Sequence, residues 1–160
     1  MDPTHPIQPK GGPLPGLLRP PLIFLSAILL GIALDHVWPL RFIPAHLRLL
    51  GLFVILCAVL LFLFSLREFR AAGTSVRGTE RTTVIVQTGP YRFSRNPIYA
   101  SFILLMLGLS TWLNDVWLLA TLVPAIGFIA SVVIPREERF LDRNFHHQYS
   151  SYKATVRRWL

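Results

Sequence analysis

Two polar parts of the chain carry the residues whose types could do chemistry. Residues 88–92 read TGPYR and residues 95–99 read RNPIY, so each contains a tyrosine and an arginine beside a proline. Much later in the chain, residues 136–138 read REE. A carboxylate can bind an ammonium group or a pair of hydroxyls, a tyrosine ring can lie against a cation, and an arginine attracts an anion. These types suit the binding of a small molecule with charged and aromatic parts.

The elements that position these residues are hydrophobic runs. Of the 160 residues, 52% are hydrophobic and only 15% are charged, against about 25% charged in soluble domains. Four runs, at 22–37, 49–66, 98–113 and 116–134, carry almost no charge. As helices they measure about 24 to 28 Å each, close to the roughly 30 Å thickness of a bilayer core. We predict one all-α integral membrane domain with four transmembrane helices, preceded by a flexible leader at 1–21.

The orientation in the membrane follows from the basic residues. Six lie in the central loop 67–97 and six in the tail: Arg67, Arg70, Arg77, Arg81, Arg92 and Arg95, and then Arg136, Arg139, Arg143, Lys153, Arg157 and Arg158. The connection between the first two runs has only two arginines, and the turn at 114–115 has none. The positive-inside rule places both termini and the central loop in the cytosol, and we expect a bacterial inner membrane.

The tail, residues 136–160, has the spacing of an amphipathic helix that caps the domain. Its apolar and aromatic residues recur every three or four positions: Leu141, Phe145, Tyr149, Tyr152, Val156 and Trp159, in line with Glu138. Such a helix could lie along the membrane surface or fold back over the central loop. Pro97 is expected to open the third span, because proline suits the first turn of a helix.

Several function classes are excluded or unsupported. The net charge of +8 invites a nucleic-acid partner, but the arginines flank hydrophobic runs, where they meet anionic lipid headgroups. No G-x-G-x-x-G segment is present, which excludes the soluble doubly wound nucleotide-binding architecture. The single cysteine, Cys57, lies within an apolar run, and the neighbouring His146 and His147 point about 100° apart on a helix. We therefore predict neither a disulfide nor a metal site.

The polar segments resemble the signature of the isoprenylcysteine carboxyl methyltransferase family, which is related to the phospholipid N-methyltransferases. That signature is G-x-Y-x-x-x-R-[HN]-P-x-Y at the start of a transmembrane helix, followed later by a Glu-Glu pair and F-x-x-x-Y-x-x-Y spacing. This chain matches it at 89–99, 137–138 and 145–152, and the resemblance covers about residues 67–160. Many members have histidine where this chain has Asn96, and the animal enzymes have a substrate-binding arginine where it has Val133.

The resemblance implies a cofactor pocket for S-adenosylmethionine between the central loop and the tail. Carried over position by position, the residues that line it are Thr83, Val84, Ile85, Val86, Tyr91, Asn96, Pro97, Ile98, Tyr99 and Glu137. It also implies that the start of the tail folds against the start of the third span. Glu137 is then expected to lie close enough to Tyr99 for one nucleoside to touch both.

Methyl transfer is an in-line displacement that depends on alignment and desolvation rather than on a covalent enzyme intermediate. An anionic nucleophile would be steered by Arg92, Arg95 or Arg136, whereas an amine would have to lose a proton, for which Glu138 is the candidate. Three hypotheses follow. The chain methylates a lipidic or small apolar acceptor at a carboxylate or thiol, it methylates a phospholipid amine, or it is a non-enzymatic membrane scaffold.

Overall fold

The computed structural model describes residues 19–73 and 84–159, and all the regular secondary structure in this part of the chain is helical, without a β-strand. The helices are α1 (Pro20–Val37), α2 (Arg48–Ala71), α3 (Pro97–Leu113), α4 (Val116–Phe128) and α5 (Ile134–Thr155). A π-helical turn, Ile129–Val133, joins α4 to α5, and 3₁₀ turns occupy Ala45–Leu47 and Gly89–Arg92. The all-α prediction is confirmed. The predicted leader lies almost wholly outside the described residues, and α1 begins at its end.

Several of the described helical segments have the length and composition of membrane spans. Three are long and apolar enough to cross a bilayer: Pro20–Val37, Ala45–Ala71 and Val116–Thr155. The helix Pro97–Leu113 is apolar but shorter. Large apolar side chains on α1 and α2 face outward, among them Leu29 at 59% exposure and Leu49 at 72%. An outward apolar surface of this extent suits a lipid environment. The predicted number of four spans remains a prediction.

The core of the bundle lies between α1, α3 and α4. Phe24 of α1, Met106 of α3 and Leu118 of α4 are its largest fully buried side chains, and Phe24 packs on Phe102 with ring centroids 5.2 Å apart. The core continues past the π turn to Ile134, and Tyr99 belongs to the same cluster. The beginning of α5 is thus packed against the beginning of α3.

Helices α2 and α3 approach closely at two glycines. A Cβ atom on Gly51 would lie 2.4 Å from the backbone nitrogen of Trp112, and one on Gly108 would lie 2.8 Å from the backbone nitrogen of Ile55. No real Cβ contact is that short, so the two backbones can meet only where both side chains are absent. Small residues allow the same close packing in membrane helices generally.

Replacing Gly51 with alanine is expected to lower the thermal stability of the protein in detergent. The two helices would have to move apart, at about 1–3 kcal/mol for overpacking, or roughly 3–10 °C in Tm for a chain of this size. Gly127→Ala is the matched control, because nothing lies within 4 Å of a Cβ there. Equal melting temperatures for Gly51→Ala and the wild type would contradict this account of the α2–α3 contact.

The turn between α3 and α4, at residues 114–115, is a tight hairpin. Asn114 adopts the left-handed conformation (φ 57°), and its Oδ1 accepts bonds from the N–H groups of Phe42 and Ile43, both at 2.9 Å. Asp115 caps α4 by accepting the N–H of Trp117 at 2.8 Å. The hairpin thereby fixes the end of the bundle that lies opposite Tyr99.

The tail departs from one continuous helix. Helix α5 is kinked at His146, whose φ of 21° and ψ of −98° are not helical. Beyond the kink, Lys153 Nζ lies 3.0 Å from Asp142 Oδ2, although eleven residues of straight helix would span about 16 Å. The chain therefore folds back on itself at His146. The predicted stripe from Glu138 to Trp159 is divided between two helical segments, because regular spacing in a sequence does not reveal a reversal of the backbone.

Candidate active site

The polar residues singled out in the sequence gather at the arginine-rich end of the bundle, defined by the exposed Arg67, Arg70, Arg92 and Arg136. At this end α2 finishes and both α3 and α5 begin. Residues 84–87, which lead into it, have no regular secondary structure. Their backbone polar groups are therefore not part of a helix or a sheet.

The first wall of the site is the turn that carries Tyr91. The Thr88 hydroxyl donates a hydrogen bond to the Glu68 carboxylate at the end of α2. Gly89 adopts φ 58°, a backbone conformation that favours glycine, and a Cβ there would also lie 2.8 Å from Glu68 Cδ and displace the Glu68 side chain. The Tyr91 ring meets Phe69 edge-on at 5.2 Å, and Tyr152 donates its hydroxyl to the Tyr91 carbonyl at 2.7 Å.

Glu68 is a positioning residue that the sequence analysis missed. It is the acidic residue of a stretch that reads LREFR at the end of the second apolar run. A carboxylate so close to an apolar run needs a polar partner, and its position there is the feature of the sequence that could have identified Glu68. Its side chain fixes the conformation of the Thr88–Gly89 turn and so fixes where Tyr91 lies.

The second wall is the contact between Tyr99 and Glu137. The Tyr99 hydroxyl donates to Glu137 Oε1 at 2.7 Å, and Tyr99 is 8% exposed. The predicted proximity of these two residues is confirmed. Glu137 lies beyond the apolar run 116–134. Burial raises the pKa of its carboxyl to about 7, the Tyr99 hydrogen bond lowers it in part, and the adjacent Glu138 raises it further.

A cluster of two arginines and one glutamate lies beside this contact. Arg158 binds Glu138 through two hydrogen bonds, of 2.6 and 3.2 Å, and Arg95 Nη1 lies 3.3 Å from Glu138 Oε1. Arg95 and Glu138 side chains are only 12% and 13% exposed. Within the described part of the chain, Arg95 Nε and Nη1 are buried without a hydrogen-bond acceptor. One carboxylate between two guanidinium groups leaves a net positive charge in this cluster.

Asn96 and its neighbours hold the end of the chain. Asn96 Nδ2 donates to the Arg158 carbonyl at 2.9 Å, and the Arg95 N–H donates to the Arg157 carbonyl at 3.0 Å. Trp159 then packs against the core cluster that contains Tyr99. The amide of Asn96 is thus engaged with the last residues of the tail, which lie across the beginning of α3.

The structure brings together most of the residues that the sequence analysis selected. Those at the beginnings of α3 and α5 or in the turn before α3 are Tyr91, Arg95, Asn96, Pro97, Ile98, Tyr99, Glu137 and Glu138. In the segment before them, Val86 is buried, Ile85 is partly buried and Val84 is 48% exposed. Arg136 is exposed and takes part in none of the ion pairs among the described residues. Thr83 lies outside the described residues.

Residues 47–148 of the chain match the family model of the phospholipid methyltransferases. The chain belongs to this family. The match spans α2 to the first part of α5 and includes Glu68, Tyr99 and Glu137, and the predicted relationship to this family is confirmed. Membership of this family, with the long apolar helices, makes the protein an integral membrane methyltransferase.

A protein of Haemophilus influenzae described as uncharacterized is 35% identical to this chain over 63 residues, which are 39% of this chain and the whole of that protein. No solved structure matches the chain.

Proposed function

We propose that this protein is an S-adenosylmethionine-dependent methyltransferase that acts at the cytosolic membrane face on a lipidic or small apolar acceptor. The observation that supports the proposal most is the 2.7 Å contact between Tyr99 and Glu137 inside the segment that matches the family. It joins a carboxylate and an aromatic ring at the end of the bundle where two helices begin. We place this end in the cytosol of a bacterial cell, at the inner membrane, because of its exposed arginines.

The residues present fit the cofactor. S-adenosylmethionine supplies an activated methyl group, and it carries an ammonium, a ribose diol and an adenine by which it can be held. Glu137 is suited to the ammonium or the diol, and the Tyr99 hydroxyl orients the Glu137 carboxylate. Tyr91 and Tyr99 place aromatic rings at this end of the bundle, and residues 84–87 supply backbone groups for the adenine edge. The remaining members of this proposed pocket are Thr83, Asn96, Pro97 and Ile98.

The arginine cluster favours an acceptor that arrives as an anion. Both Glu138 oxygens are engaged, by Arg158 and by Arg95, so this carboxylate holds the guanidinium groups rather than standing free to take a proton from an amine. The two guanidinium groups would attract a carboxylate or thiolate nucleophile. In this proposal Arg95 attracts the anionic acceptor from inside the site, Glu138 holds Arg95 in place, and Arg136 attracts the acceptor from the surface beside the site.

Methylation of a phospholipid amine is the second candidate, and the family match favours it. Transfer from cofactor with a radiolabelled methyl group separates the two. A carboxyl methyl ester releases labelled methanol in base, a thiol gives a base-stable thioether, and an amine gives base-stable label in the phospholipid headgroup. Label in the phospholipid fraction alone would overturn the anionic acceptor and support the amine.

Binding of S-adenosylhomocysteine, the cofactor product, to the purified protein tests the proposal and has an expected pH dependence. Glu137 binds a cation only when ionised, and its pKa in the free protein is about 7. Affinity should therefore fall as the pH drops through 7, by about tenfold from pH 8 to pH 6. Isothermal titration at the two pH values measures this.

Methylthioadenosine, which lacks the amino acid part, is the control ligand for the pH measurement. If Glu137 holds the ammonium, its affinity should not change with pH, whereas a contact to the ribose diol would give both ligands the same dependence. A protein that binds neither ligand at pH 8 would support the non-enzymatic scaffold and contradict the proposed function.

A further inference from the structure

The junction between α4 and α5 contains one residue more than a regular helix would use. Across the π turn Ile129–Val133, the N–H of Ile134 donates to the carbonyl of Ile129, five residues earlier, instead of four. One turn upstream, the N–H of Ile129 still reaches the carbonyl of Ala125 in the regular way. Single π turns of this kind occur within α-helices and are frequent beside functional sites.

Pro135 gives the physical reason for the wider turn. A proline has no N–H to offer the carbonyl four residues earlier, which is that of Ser131, and its ring collides with that carbonyl in a regular helix. A π turn uses one more residue per turn at this point, so the Ser131 carbonyl need not lie in the path of the ring. The turn ends at Val133, immediately before the helix segment that contains Pro135.

The extra residue determines which side chains face the site. Without it, every residue after the turn would advance by about 100° around the helix axis and by about 1.5 Å along it. The position against Tyr99 would then be taken by Arg136, and Glu137 would move to the place where Glu138 meets Arg95 and Arg158. A regular helix of the same sequence would set a cation, not a carboxylate, against Tyr99.

We propose that Pro135 is a positioning residue. By maintaining the π turn, it sets the helical register of α5 in which Glu137 faces Tyr99 and Glu138 faces Arg95 and Arg158. The inference predicts that removing the proline rotates α5, and that removing the extra residue restores the register. Ser131 is the residue to delete, because it is exposed and lies at the middle of the turn. The importance of the register for cofactor binding rests on the proposed function, whereas the register itself does not.

The test follows the accessibility of residue 136 to a membrane-impermeant maleimide. Arg136→Cys is made in a Cys57→Ser background, since Cys57 is the chain's only cysteine. The thiol should react rapidly in this parent, because position 136 is exposed. Adding Pro135→Ala should slow its reaction at least tenfold, and deleting Ser131 from that variant should restore it to within about threefold of the parent.

Two outcomes would overturn the inference. Equal reactivity in the parent and the Pro135→Ala variant would mean that the proline does not set the register. Protection that the Ser131 deletion fails to relieve would mean that the proline acts only on general stability. S-adenosylhomocysteine binding can be measured on the same three proteins with Arg136 retained. Its affinity should fall in the Pro135→Ala variant and recover when Ser131 is also deleted. If deletion of Ser131 restores the maleimide reactivity but none of the three proteins binds S-adenosylhomocysteine, the result would support the role of Pro135 in setting the register and contradict the proposed function.

Discussion

Glu137→Gln is expected to weaken S-adenosylhomocysteine binding about 30- to 100-fold and to reduce methyl transfer at least as much. The side chain keeps its size and can still meet the Tyr99 hydroxyl, but it loses the charge that holds an ammonium or a ribose diol. A hydrogen bond to a charged group contributes about 1.5–3 kcal/mol, and 1.4 kcal/mol corresponds to a factor of ten. Isothermal titration at pH 8, where wild-type Glu137 is mostly ionised, measures the loss.

Asp142→Asn is the matched control for this variant. It also neutralises an acidic residue of α5, but Asp142 forms an ion pair with Lys153 in which both side chains are more than a third exposed. Its effect on cofactor-product affinity should stay below threefold. If the Glu137→Gln protein is folded and binds S-adenosylhomocysteine with wild-type affinity, Glu137 does not belong to the cofactor site.

Glu138→Gln is expected to destabilise the protein more than any other neutral substitution in the tail. It leaves the Arg95 guanidinium, 12% exposed, without a counter-charge, and it releases Arg158 from the tail's last segment. Removing one partner of a buried ion pair costs about 3–5 kcal/mol, which corresponds to roughly 6–15 °C in the melting temperature of a chain this long. Thermal unfolding in detergent gives the measurement.

Lys153→Met provides the comparison, because it breaks an exposed ion pair of the same tail, where the expected cost is below about 1 kcal/mol. Limited proteolysis separates the release of Arg158 from the loss of the Arg95 counter-charge. Glu138→Gln should increase cleavage near residue 158, and Lys153→Met should not. If the two substitutions shift the melting temperature equally, the Arg95–Glu138–Arg158 cluster is not the element that fixes the tail.

Much of the fold could be predicted from the sequence because its largest signals are local. Apolar runs of membrane length mark α1 to α4, and Pro97 marks the first residue of α3. Two polar residues, Asn114 and Asp115, leave room for nothing but a tight hairpin. The contact of Tyr99 with Glu137 was reached by resemblance, and spacing along the chain would not have shown it.

The features that were missed depend on backbone states that periodicity does not report. The run 116–134 is apolar on every face, so an extra residue in one turn leaves no mark on its pattern, and Pro135 is the single visible sign. The spacing of Tyr149 and Tyr152 continues that of Leu141 and Phe145, although the backbone reverses between them at His146. The π turn and the reversal at His146 leave the spacing of residues along the sequence unchanged, but they change the direction in which the later side chains point.

Individual side-chain roles were the least accessible to prediction. Asn96 was assigned to the cofactor, which stays a prediction; the sequence did not show that its amide also donates to the Arg158 carbonyl, a contact between residues 62 positions apart. Glu68 was not selected, because its partner Thr88 lies 20 residues later on the far side of the central loop. Such pairs are chosen by tertiary packing, and a single sequence does not record which of several polar residues meet.

Cross-linking of methyl-labelled S-adenosylmethionine by ultraviolet light tests the central claim most directly, namely that the beginnings of α3 and α5 hold one cofactor molecule. Peptide mapping after irradiation of the wild-type protein should place the label within residues 84–99 and 134–139, and excess S-adenosylhomocysteine should prevent it. Label confined to other parts of the chain, or label in these peptides that the competitor does not displace, would contradict the account.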